Sequence, residues 1–401
     1  MTDVSALIER LVPEIRALRR DLHAHPEPGH QEYRTAAAVV DRLRKLDGVT
    51  WRENVGGSTG VVAVIKGEKR GPVVALRADM DCLSMTEETG VPYASTRPGF
   101  MHACGHDGHT AALVGAGQVL HAIRDELAGP VVLIFQPAEE GGFGGRAMCE
   151  DGALEAPHVD AIFGLHNMPV PGLAFGAVGL RPGALMGGGV NFKIRLVGRG
   201  GHAAAPHLAI DPIQIGSQVI IAMQTFVSRR TDPLETLVVS ATKFQAGTTN
   251  NVIPDEAVIE GTIRSLSPAL LETTPERLRT LIEGLAGAHG ARAEVTFKPG
   301  YPVTVNDPQG TAYVARVAAM VTGEEAVKSN YDPILGSEDF SFYLQQRPGA
   351  FYFVGTKPPD RGAVPFLHDP RYDFNDASLP RLMALHVEIA RRFATEWGAV
   401  S

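Results

Sequence analysis

The segment MHACGHDGH sets Cys104, His106, Asp107 and His109 within six residues, a concentration of thiol, imidazole and carboxylate suited to metal binding or proton transfer. Three other segments place the same residue types just past an apolar run. PVVALRADMD ends in Asp79 and Asp81, PVVLIFQPAEE in Glu139 and Glu140, and DAIFGLHN in His166, while FLHDPRYDFND adds His368. Alone, a histidine after a strand reads as a hydrogen-bonded residue, and two adjacent glutamates read as a solvated turn. Together they read differently, because adjacent carboxylates repel and a cation at the edge where the apolar runs end would offset that repulsion. Thiolate and imidazole select zinc and its borderline neighbours rather than calcium or magnesium, which take oxygen throughout. A thiolate can bridge two cations, and with three histidines and one glutamate the set comprises five ligands. A cation that acidifies water, beside a carboxylate that takes the proton, is the equipment of a hydrolase.

Two other motifs compete with this reading. Gly56, Ser58 and Gly60 spell GxSxG, but a nucleophilic serine elbow needs a strand before it and a helix after it, whereas WREN precedes and the apolar run VVAVIK follows. Gly142, Gly144 and Ala147 spell GxGxxA directly after a strand. A dinucleotide site would place an acid at the end of the next strand, and Asp160 instead precedes it. Neither serine nor nucleotide chemistry is expected.

These residues need a scaffold, and the composition provides for one. The chain has 401 residues, 44% hydrophobic and 20% charged, which describes a globular protein of two or three domains. A net charge of -8 and the absence of a basic run make nucleic acid an unexpected partner, and no apolar run is long enough to span a membrane. The start MTDVSALIERLVPEIRALRRDLH mixes acids and arginines into its apolar residues, unlike a secretory signal. With only Cys82, Cys104 and Cys149 as thiols, the expectation is a cytoplasmic protein.

Val4, Leu7, Leu11, Ile15, Leu18 and Leu22 mark one face of a first helix, and a second helix is predicted over 32–46. Apolar runs bounded by Gly and Pro then alternate with helical stretches as far as His166, the pattern of an α/β layered sheet with parallel pairs. The rhythm changes after RPGALMGGG. Strand 190–197, helix 211–229, strands 236–245 and 256–264, helix 269–288 and strand 292–298 form a complete β-α-β-β-α-β unit, the ferredoxin-like motif. Helix 308–322, the strand AFYFVGT and helix 379–396 return to the first sheet. The expected organisation is a discontinuous metal-binding domain over 1–183 and 299–401, with an insertion over 184–298. Gly187, Gly188 and Gly189 suggest a hinge at the junction.

HPEPGHQEY, ALRADMD, MHACGHDGHT, FQPAEEG, GLHN, GRGGHAAAPH, TTNNVIPDEA, GTIR, GSEDFSFY and FLHDPRYDFND occur in this order across nearly the whole chain. In them the chain resembles the di-metal aminoacylase and carboxypeptidase family, in the branch with hippurate hydrolases and plant auxin-conjugate hydrolases. The resemblance implies a zinc-exopeptidase-like catalytic domain of layered mixed sheet and an inserted ferredoxin-like dimerisation domain. It implies that Cys104, His106, Glu140, His166 and His368 hold two divalent ions, manganese, zinc, nickel or cobalt. Glu139 becomes the general base and Asp79 a residue that orients the ligands. Other branches bridge with Asp and carry an H-x-D pair, where this chain has Cys104 and Arg77-Ala78-Asp79. His202 would reach the active site of the other subunit and stabilise the oxyanion, assisted by Asn251. Arg264 would bind the substrate carboxylate, a group that a guanidinium matches bidentately, and the loop of Gly336, Ser337 and Glu338 would contact substrate. The implied protein is a homodimer or tetramer that cleaves a small N-acyl amino acid into a carboxylic acid and an amino acid. A dipeptidase or carboxypeptidase of the same mechanism is the nearest alternative. A silent binding protein on this fold would lack a base or a ligand, and none is missing.

Overall fold

The computed structural model describes residues 2–399, which divide into two compact units. The first runs to Leu185 and resumes over Val305–Asp332 and from Asp339 onward, and the second comprises Met186–Thr304 and Pro333–Glu338.

The first unit opens with α1 (Val4–Ala24), whose N-terminus is capped by the Asp3 carboxylate accepting from the Ala6 amide at 3.1 Å. Ile8, Ile15, Leu18 and Leu22 bury one face of this helix. Then follow α2 (Tyr33–Leu43), β1 (Thr50–Val55), β2 (Gly60–Ile65), β3 (Val74–Asp79), α3 (His106–Ala122), β4 (Val131–Gln136), α4 (Gly144–Glu150), β5 (Ala161–Met168), β6 (Val178–Gly179) and β7 (Gly183–Met186). The second unit holds β8 (Gly188–Val197), β9 (Gly201–His202), α5 (Pro212–Arg230), β10 (Leu237–Ala246), β11 (Val252–Ile253), β12 (Glu256–Ser265), α6 (Pro268–Ala288) and β13 (Arg292–Pro299). The chain returns through β14 (Thr304–Asn306) to α7 (Pro308–Thr322), β15 (Val327–Lys328), α8 (Ser341–Leu344), β16 (Gly349–Gly355) and α9 (Leu379–Glu396).

The eight-stranded sheet of the first unit has the order β1-β2-β4-β3-β5-β16-β6-β15. Its centre, β4, β3, β5 and β16, is parallel, and every residue of these four strands is buried, which is why they read in the sequence as unbroken apolar runs. The chain moves from β3 to β4 on one side and to β5 on the other, so a crevice opens at the carboxyl ends of these strands. α1, α3 and α9 pack together in one layer beside the sheet, α3 and α9 resting on β3. In the second unit the four strands run in the order β10-β12-β8-β13, all antiparallel, with α5 and α6 closing a core of Phe192, Ile194, Leu196, Val219, Ile259 and Ile282. This is the expected ferredoxin-like arrangement.

Several local expectations change. WREN lies within β1, so a strand does precede the GxSxG segment; what removes the elbow is that β2 follows, antiparallel to β1, in place of a helix. The second unit extends past 298 to Thr304 and takes in Pro333–Glu338, because Met186 bridges Ile334 and the Gly187 amide donates to the Ile334 carbonyl at 2.8 Å. Gly336 therefore sits in the second unit. Of the glycine run, Gly188 and Gly189 are ladder residues opposite Ser265 and Arg264. A Cβ on Gly189 would lie 2.9 Å from the Arg264 guanidinium, so close packing is what the structure asks of this glycine.

Candidate metal centre

Cys104 lies in the loop that enters α3, and His106 is the first residue of that helix. Gly105 between them has φ 92° and a Cβ there would lie 2.3 Å from Asn167 Oδ1, so only glycine lets the two neighbours converge. His106 Nδ1 lies 3.0 Å from the Asp81 carbonyl and 3.2 Å from its carboxylate, which makes Nδ1 the protonated nitrogen. His106 Nε2 is buried with no hydrogen-bond partner, which makes it the nitrogen left open to a ligand. His166, near the end of β5, donates from Nδ1 to the Asn167 carbonyl at 2.8 Å and turns Nε2 to within 3.4 Å of Cys104 Sγ. His368 enters from the C-terminal loop with φ 65°, its amide donating to the Ala103 carbonyl at 2.8 Å and its Nε2 3.3 Å from Glu140 Oε1.

Glu139 and Glu140 follow β4. Ala138 before them adopts φ 53° and its amide donates to buried Glu32 at 2.8 Å. Glu32 also accepts from the His30 amide at 3.1 Å and from the Thr59 hydroxyl; burial pushes its carboxyl up to about 6. The Glu140 amide donates to Asp81 at 2.8 Å, so Asp81 holds both the ring of His106 and the backbone of Glu140.

Cys104, His106 and His166 present donor atoms within 4.8 Å of one another, and so do Cys104, Glu140 and His368. The thiol belongs to both groups. His106 also groups with Glu139 and Glu140 within the same 4.8 Å span. Burial pushes the Cys104 thiol up and the nearby Glu140 carboxylate adds to the rise; a divalent cation would reverse both effects by favouring the thiolate. A sulfur, the Nε2 atoms of His106 and His166 with their Nδ1 atoms already fixed by hydrogen bonds, and the Glu140 carboxylate facing His368 fit a pair of borderline cations.

Asp79 stands one layer back. It accepts from His109 Nδ1 at 2.7 Å and from Arg77 at 2.6 Å, and its other contact with the set is 3.8 Å to His106 Nε2. Arg77, wholly buried, also donates to Gln136 at 2.8 Å and Asp339 at 3.0 Å. His109 accepts the Asn167 amide on Nε2 at 3.1 Å, so both its nitrogens are used and it cannot serve as a ligand in this arrangement. Asp107 points the opposite way, towards Arg19 Nε at 3.0 Å and His23 Nδ1 at 2.8 Å. Sequence reasoning singled out neither the ligand-holding part of Asp81 nor Glu32. Asp81 carried a signal, as the second acid of ADMD. Glu32 lies within HPEPGHQEY, but nothing in that segment marked its role, since its partners lie on three separate segments.

The remaining candidates lie in the second unit. His202 on β9 is paired with Val252 on β11, and beside that pair the Ala203 amide donates to the Asn251 carbonyl at 3.1 Å; His202 and Asn251 are both exposed. His202 Nδ1 accepts the Ala204 amide at 3.1 Å, which leaves the proton of the neutral ring on Nε2. Arg264 donates to Ser337 at 2.7 Å, beside exposed Gly336.

A parallel-centred sheet that gathers thiol, imidazole and paired carboxylates at its strand ends, with a ferredoxin-like insertion, defines a metal-dependent amidohydrolase. The model of Peptidase family M20/M25/M40 matches residues 75–392, and the chain belongs to that family. It is 42% identical over 386 residues to IAA-amino acid hydrolase ILR1-like 4 of Arabidopsis thaliana, covering 94% of this chain and 85% of that protein. It is 39% identical over 385 residues to the N-acetyl-L-cysteine deacetylase of Bacillus subtilis, covering 96% and 89% of the two chains. Among solved structures it is similar to the YxeP protein of Bacillus subtilis, a dinuclear metal-binding peptidase of the M20 family, with TM-score 0.82, 35% identity and coverage of 96% and 99%.

Proposed function

We propose that this enzyme hydrolyses the amide of a small N-acyl amino acid, of acetyl, benzoyl or indole-acetyl type, to a carboxylic acid and an amino acid. The observation that carries the reading is the place of Cys104 in both donor groups, with Glu139 adjoining them. Cys104, His106, Glu140, His166 and His368 would hold two divalent ions, which supply Lewis acidity towards the amide carbonyl and towards water. Glu139, buried beside Glu140, takes the proton of the attacking water and delivers it to the leaving nitrogen. His202 Nε2–H is a donor for the carbonyl oxygen as it becomes tetrahedral, and Asn251 beside it supports that donor. Arg264 keeps N–H groups beyond the one given to Ser337, and these suit a substrate carboxylate, with Gly336 on the adjoining loop.

The finer reading places the chain in the cytoplasm as a homodimer built through the second unit. Free, buried Cys82, Cys104 and Cys149 suit a reducing compartment. No helix among the described residues is long and apolar enough to cross a membrane. The test is chromatography of acetyl-, benzoyl- and indole-acetyl amino acids beside dipeptides, each with manganese, zinc, nickel or cobalt. Release of the free acid from N-acyl substrates supports the proposal. Cleavage of dipeptides alone would turn the reading to a dipeptidase, and no cleavage with any metal would leave a binding protein.

A further inference from the structure

α5 and α6 lie antiparallel on the sheet of the second unit and are tied at both ends. Gln218 meets His289 at 2.8 Å at one end, and Arg277 donates to the Arg230 carbonyl at 2.9 Å at the other. Between these ties the helices part over a groove of about 740 Å³. Ile221, Phe226, Leu281 and Leu285 form its apolar wall, and Ile221 is 66% exposed. All the charge in the lining is positive and sits at one end: Arg229, Arg230 and Arg277.

These cations are not neutralised from within. Glu276 and Glu283 turn to Arg279 at 3.1 and 3.9 Å, Asp232 accepts the Leu234 amide at 3.0 Å, and none of the three arginines has an ion-pair partner among the described residues. Arg229 and Arg230 complement the C-terminal dipole of α5, which explains two cations but not the third. Arg277 is pre-set: its guanidinium lies 4.8 Å from the Phe226 ring centroid and one nitrogen is anchored on Arg230, leaving further N–H groups free.

We propose that this groove binds a free monocarboxylate with an apolar tail, the carboxylate on the arginine end and the tail along Ile221 and Leu281 towards Leu285. Three arginines at one end of the groove, without an acid among its lining residues, suit an anion, and a guanidinium matches a carboxylate bidentately. From residue 218 to 229 the trough of α5 is roughly 16 Å long at 1.5 Å per residue, enough for a chain of the decanoate class. The site is confined to the second unit and shares no residue with His202, Asn251 or Arg264.

The test is calorimetric titration of the metal-loaded full chain with decanoate, acetate and the uncharged 1-decanol. Decanoate should bind once per chain, with acetate and decanol each weaker by roughly tenfold or more, since head and tail are both needed. Arg277→Ala, Arg229→Ala and Ile221→Asp should each weaken decanoate by about tenfold while turnover stays at the parent level, and Arg277→Lys should retain part of the affinity. The last two residues tested for loss are exposed, so their variants fold even if Arg277→Ala does not. Unchanged decanoate affinity in the groove variants, or binding to anionic vesicles without binding to free decanoate, would overturn the proposal.

Discussion

At the scale of single residues, the shared thiol is the most exposed part of the reading to experiment. If Cys104 is a shared ligand, Cys104→Ser exchanges a soft donor for a hard one, so metal content measured by elemental analysis should fall sharply from the two ions per chain proposed for the parent, while Cys82→Ser and Cys149→Ser should keep it. The paired glutamates separate by function. Glu139→Gln should retain metal and lose turnover by at least roughly 100-fold, and Glu140→Gln should lose metal; exchanged phenotypes would reverse the two assignments. Glu32 acts through the backbone of this pair. Removing its carboxyl in Glu32→Ala orphans the buried amide of Ala138 and should cost about 1–3 kcal/mol in denaturant unfolding, whereas Glu32→Gln keeps an acceptor and should stay near the parent. The folded value of about 6 lies above the usual 4.5, so the stabilisation that protonation brings is full below 4.5 and is lost as pH rises through 6. Glu32→Gln should remove that slope.

At the scale of elements, α1 is tied to the start of α3 by a buried charge cluster. Arg19 reaches Asp107 at 3.0 Å and Asp373 at 2.5 Å, and His23 bridges Asp107 and Glu87 at 2.8 and 3.2 Å. The N-terminus of α3, which carries His106 and Asp107, is thereby clamped by residues outside the proposed metal ligands. Burial opposes a charge on His23, but the carboxylates of Asp107 and Glu87 outweigh it and raise the ring to about 9. The gain from its proton is fully present below 6.5 and lost as pH rises through 9, a difference of about 3 kcal/mol. Denaturant unfolding should show stability falling across that window, and His23→Gln should flatten it. A pH-independent parent would remove His23 as a charged strut.

At the scale of the whole molecule, the second unit carries no proposed metal ligand and yet holds His202, Asn251 and Arg264. His202→Ala should keep metal content and lose turnover by roughly 100-fold to 1,000-fold, the effect of removing one preorganised donor. If His202 serves the site of a partner subunit, a heterodimer of His202→Ala and Glu139→Gln chains has one doubly altered site and one intact site. Mixing the two inactive variants should restore activity towards half the parent value per heterodimer. No recovery, with subunit exchange verified by native mass spectrometry, would confine His202 to its own chain.

By itself the sequence determined the long helices and the buried strands, though not β1 or the two- to four-residue strands, because helical and strand periodicities depend on residues only a few positions apart. The β-α-β-β-α-β order of the second unit and the buried strands β3, β4, β5 and β16 were legible in this way. It also determined which residue types stand at the strand ends, and so the class of chemistry. The tertiary structure alone decided who meets whom. Cys104 and His166 are 62 residues apart, and their 3.4 Å approach depends on how β5 and the loop before α3 are placed by the whole sheet. The same holds for the division of labour between two like pairs. Asp81 holds His106 while Asp79 holds His109, although both acids leave one strand and both histidines lie on one helix turn. Side-chain type sets what a residue can bind, but which partner it binds is set by packing across segments that no local pattern encodes.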